Sequence, residues 1–103
     1  MTAGALYLGM DTSCYTTSVA LVDGEGRVAW DGRETLKVPR GGRGLRQSEA
    51  VFLHLKNLPH LLAAALRRAG GPRTVAAVGA ATRPLPDPAS YLPVFVVSSG
   101  FGM

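Results

Sequence analysis

The stretch from Leu6 to Asp23 constrains the fold most. Leu6, Leu8 and Met10 alternate with Tyr7 and Gly9, the period-2 signature of a strand with one buried face. Asp11 ends the run, and Thr12, Ser13, Cys14, Tyr15, Thr16 and Thr17 follow. Ser18 to Val22 is apolar again, and Asp23-Gly24-Glu25-Gly26 is a turn signal. Two strands over 6–11 and 17–23 are therefore predicted, joined by a hydroxyl-rich turn. A carboxylate at a strand end, followed by hydroxyls and turn amides, suits a nucleotide phosphate and its hydrated metal. Amides and hydroxyls donate to phosphate oxygens, and the carboxylate holds metal-bound water. Asp11, Thr12, Ser13, Thr16 and Thr17 are the candidate residues. The competing structural role for Asp11 is to cap the turn by accepting amide hydrogen bonds.

After the turn, Arg27 to Asp31 predicts a third, antiparallel strand running toward Lys37. Gly9 inside the first strand either admits a ligand or a neighbouring backbone, or marks a bulge. Pro39 to Arg46 carries three glycines and three arginines. It lacks the Lys-Ser/Thr ending of a P-loop, so it reads as a solvated connector rather than a phosphate clasp. A helix is predicted over 48–70, with Ser48 as N-cap and Glu49 in the first turn. Its apolar stripe is Val51, Leu55, Leu58, Leu62, Leu66 and Ala69, Pro59 is expected to kink it, and Gly70-Gly71-Pro72 ends it. His54 and His60, six residues apart, are poorly spaced as ligands on one helix face and read as structural or surface residues.

Thr74 to Thr82 is small and continuously apolar, which predicts a strand buried on both faces, brought parallel by the helical crossover. Arg83 to Pro88 is too proline-rich for regular structure, and Val94 to Val97 favours a strand while its position allows a helix.

The 103 residues make room for one small domain or a piece of a larger one. Nine arginines and two lysines face seven acids, so an anionic partner fits the +4 charge, as does simple compositional bias. Cys14 is the lone cysteine, which excludes an internal disulfide and fits a reducing compartment. No base stands near it in sequence to activate it, so it reads as a small packed residue. Residues 1–10 lack a basic start and a long apolar segment, and the run Tyr91 to Val97 is too short to span a bilayer. A cytoplasmic protein with no membrane association is expected.

The strand-strand-strand-helix-strand order with an Asp-hydroxyl turn resembles the first half-domain of the actin-like ATPase (ribonuclease H-like) superfamily. Leu8-Gly-Met-Asp-Thr-Ser-Cys14, followed by Thr17-Ser-Val-Ala-Leu-Val-Asp23, is similar to the opening of the glycoprotease-like Gcp/TsaD family. The Leu58-Pro59-Leu61 helix and the strand Val75 to Thr82 fall where that family has them. The resemblance implies an α/β fold, a partial lobe with three antiparallel strands, a kinked helix and a parallel strand. Residues 1–103 would form the N-terminal part of a truncated domain. It also implies tRNA N6-adenosine threonylcarbamoyltransferase chemistry. A threonylcarbamoyl-adenylate is held between two lobes, and its carbamoyl group passes to the adenosine amine. ATP or an adenylate and a divalent metal (iron, zinc or magnesium) would be the cofactors, with tRNA and companion synthase subunits as partners in a homo- or heterodimer. The family's metal ligands, a His-x-x-x-His helix and a later Asp, lie downstream of Met103; here Asp11 is expected to reach a metal only through water. Resemblance makes 90–102 the start of the helix leading to that motif.

Where the family carries acidic residues after the cysteine, this chain has Tyr15 and Thr16. That departure suits a non-catalytic TsaB-like partner of the synthase, with Val51 to Leu66 as its interface. A small-molecule kinase of the same superfamily is a further alternative. Proteolysis has no zinc-binding His-Glu-x-x-His pattern to support it.

Overall fold

A computed structural model describes residues 4–38, 40–42 and 44–82. The expected irregular segment at 83–88 and the strand or helix within 90–102 lie outside the described residues.

The elements are β1 (Leu6–Asp11), β2 (Thr16–Asp23), β3 (Val28–Thr35), α1 (Gln47–Ala69), a short 3₁₀ turn (Pro72–Thr74) and β4 (Val75–Ala80). They form an α/β unit with one mixed sheet of order β3-β2-β1-β4. β1 and β3 each pair antiparallel with β2, and β4 pairs parallel with β1. The parallel strand follows the long crossover through α1, as chain geometry requires.

Alternation decides which face of the sheet is buried. Leu8, Val19 and Leu21 are buried and meet Leu61, Ala65 and Ala69 of α1, with Leu6, Met10, Trp30 and Val75 around them. A second cluster of Leu36, Leu45 and Ala50, joined by Tyr15, Val38 and Leu53, closes the end nearest the first turn. Leu45 anchors the glycine-rich loop there, so that segment is a packed connector at its C-terminal end.

The β2–β3 turn is tightly wired. Asp23 Oδ1 accepts the amides of Glu25 and Arg27, each at 2.9 Å, and Gly26 adopts a left-handed φ of 83°. The Arg27 amide, with help from the Glu25 amide and the guanidinium, holds the Asp23 carboxyl below its usual range. In β3, the Trp30 ring lies across Gly32, where any Cβ would collide with it.

Three expectations are corrected. First, α1 begins at Gln47, so Ser48 lies in its first turn and Arg46 occupies the cap. The arginine side chain has no acceptor; Glu49 Oε1 instead accepts the Arg46 amide at 3.2 Å. Second, the buried face of α1 is Ala50, His54, Leu61, Ala65 and Ala69; it shares Ala69 with the expected stripe and otherwise lies one position away from it. Leu55 is 52 % exposed. Alanines let the helix axis approach the sheet, and the leucines flank that line. Third, β4 is parallel to β1 as expected but is not buried on both faces, since Ala76 to Ala80 are all exposed. The helix packs over β2 and β3 and leaves β4 beside it.

α1 continues through Pro59, which is exposed. Its ring removes the N–H that the Leu55 carbonyl would accept, on a side of the helix that water reaches. Gly70, at φ 83°, ends the helix: its amide donates to Arg67 O and that of Gly71 to Leu66 O, a Schellman arrangement.

Candidate functional site: the turn at the end of β1

β1 is the strand at which the sheet changes direction. From β1 the chain builds outward through β2 and β3, then crosses back through α1 to place β4 on the other side. The carboxyl end of β1, beside the carboxyl end of parallel β4, is therefore a topological switch point, where open α/β sheets leave a crevice for ligands. Asp11 is the last residue of β1, and its neighbour Met10 pairs with Ala80 at the end of β4. The Ala81 amide continues the pairing to Met10 O at 3.0 Å.

Asp11 is exposed. Its Oδ1 accepts the Ser13 amide at 2.8 Å, an Asx turn that bends the chain sharply out of the sheet. Its structural role as a turn cap is thus present, at a place where the carboxylate also faces solvent. Thr12 and Ser13 are buried in the turn, and Thr16 is half-buried where β2 begins.

Thr17 differs from the others. It is completely buried, and its Oγ1 lies 2.7 Å from His54 Nδ1 and 3.3 Å from Asn57 Nδ2. His54 Nε2 lies 3.0 Å from the Cys14 carbonyl. The carbonyl can only accept, so Nε2 carries the proton and Nδ1 is the acceptor. The Thr17 hydroxyl then donates to Nδ1 while accepting from Asn57, leaving it no proton for a phosphate oxygen. Thr17 holds the turn from beneath, and Asp11 and Thr16 are the candidates on its accessible side. Burial pushes the His54 pKa down, against the opposing pull of the Cys14 carbonyl and the Asp11 charge. A neutral ring is what this network requires.

The spacing predicts His54 to be structural or at the surface. The structure makes it a support of the turn, and Asn57 joins it. Their signal was spacing: Ala50, His54, Asn57, Leu61 and Ala65 recur at helical intervals, with two polar residues at the level of the turn.

Gly9 pairs regularly with Ala20 and Gly79, so it marks no bulge. A Cβ there would meet nothing within 4 Å. This helix-free face is smooth at that point, which leaves room for an approaching group. Among the described residues no group of three or more His, Cys, Asp or Glu comes together as a metal cage. A lone exposed carboxylate fits a cation that keeps most of its waters, as magnesium does. Among those residues, no helix is long and apolar enough to cross a membrane.

No protein-family model matches this chain, and no curated protein does.

Proposed function

We propose that the β1–β2 turn is the phosphate-facing element of a nucleotide site in an actin-like ATPase lobe. In this reading the chain is the N-terminal part of a tRNA threonylcarbamoyladenosine synthase-like protein. The observation that carries the nucleotide site is the position of Asp11, exposed at the carboxyl end of β1 where the sheet reverses beside parallel β4. The tRNA assignment rests on the resemblance of residues 8–23 to that family.

Asp11 holds the water shell of a divalent cation, and Thr16 donates to phosphate. Thr12 and Ser13 set the course of the turn backbone, and Thr17 with His54 and Asn57 fixes it against α1. The cation, when bound, neutralises phosphate charge. A second lobe supplies the opposite wall of the cleft, so this chain alone binds nucleotide weakly and transfers nothing.

One departure favours a second reading, the non-catalytic partner of such a synthase. Tyr15 and Thr16 stand where the family has acidic residues, and Tyr15 is spent on packing with Leu36 and Ala50. In that reading α1 offers the interface, through exposed Phe52 and Leu55. Residue-resolved NMR with magnesium-ATP tests the nucleotide site: shifts confined to 11–17 and lost in Asp11→Ala support it. Unchanged spectra favour the partner reading.

A further inference from the structure

A cavity of about 500 Å³ opens between the end of β3 and the middle of α1. Its size falls within the range of small-molecule sites. Half-buried Leu53 supplies the apolar wall, backed by Leu36, which is only 3 % exposed. Opposite charges on its rim are unevenly compensated. Glu34 Oε1 is held by His60 Nε2 at 2.9 Å, which ties β3 to α1. Lys37 and Lys56 also line the cavity, and among the described residues neither is ion-paired. Two ammonium groups and one carboxylate, Glu34, line the cavity, so its lining carries a net positive charge.

We propose that this cavity binds a small organic phosphate monoester, with Lys37 and Lys56 on the phosphate and Leu53, backed by Leu36, against its apolar body. Lysines serve phosphate as mobile point charges on flexible stems. The Glu34–His60 pair closes one end and offers a polar edge to a ligand hydroxyl. Asn57 lines the same cavity and donates to Thr17 at the base of the β1–β2 turn. This site is separate from the nucleotide site proposed above and stands without it.

Phenyl phosphate is the probe, followed by backbone-amide NMR of the full chain, with phenol and inorganic phosphate as controls. Saturating shifts at Leu36, Lys37, Leu53 and Asn57 are expected. Affinity should fall about tenfold or more in Lys37→Ala/Lys56→Ala. Both lysines are exposed, so the variant should keep the parent spectrum elsewhere. The proposal is overturned by non-saturating shifts, by shifts centred on 11–17, or by equal affinity in the double variant. Equal binding of phenol or of inorganic phosphate overturns it too, since each lacks half of the recognised chemistry.

Discussion

The imidazole of His54 stands under the first turn with its Nδ1 2.7 Å from the hydroxyl of Thr17. The same ring reaches the Cys14 carbonyl through Nε2, so one helical side chain holds the second half of the turn and the start of β2. Removing it takes one hydrogen-bond partner from the buried Thr17 hydroxyl and one from the Cys14 carbonyl, and opens a cavity. His54→Ala should therefore cost about 2–4 kcal/mol of stability. Asn57→Ala, which loses one longer bond, should cost about 1 kcal/mol. Urea denaturation measures both. Equal small losses would mean that the network contributes little.

His54 also makes stability pH-dependent. Its pKa is lowered by burial from an ordinary 6.5. Below that value the unfolded chain binds a proton that the folded chain resists. The contribution is complete above about pH 6.5 and is lost as pH falls toward the folded pKa. The carboxyl of Asp23, lowered from 3.8, acts in a separate and more acidic window. His54→Gln should flatten the slope of stability just below pH 6.5 and leave the acid limb in place. A wild-type curve that is flat between pH 5 and 7 would contradict this.

The strand periodicity was readable because alternation is a local property. β1 occupies 6–11, as its alternation indicates, and α1 ends at the glycine pair. The orientation of α1 was not readable from hydropathy. Ala65 is favoured at the sheet because it is small, whereas a stripe drawn mostly through leucines weights size. The exposure of β4 was hidden for a related reason: a small apolar strand reads as buried whether or not anything covers it. At the turn, residue types suggested phosphate chemistry, but only the tertiary contact shows that the Thr17 hydroxyl belongs to His54.

Trp30 and Gly32 form a second coupled pair, because the indole lies where a side chain at 32 would go. Gly32→Ala should cost about 1–3 kcal/mol by displacing the ring from its place against the core. In a Trp30→Ala background the same substitution should cost much less. A double-mutant cycle with no coupling would refute the contact.

β4 is expected to drive association. It ends the sheet among the described residues, carries no charge, and leaves Val78 58 % exposed. Such edges recruit further strands. Sedimentation should show self-association that Val78→Lys reduces. A parent chain that stays monomeric across the concentration series would count against it.

The proposal that Asp11 and its turn face a nucleotide phosphate is tested most directly by a magnesium-ATP titration of the chain, read by amide NMR, beside Asp11→Ala. With one lobe present, affinity should lie in the millimolar range, about −4 kcal/mol. The account predicts shifts localised to residues 11–17 that saturate in the parent chain and vanish in the variant. Identical titrations of the two proteins, or no localised shift in either, would contradict it.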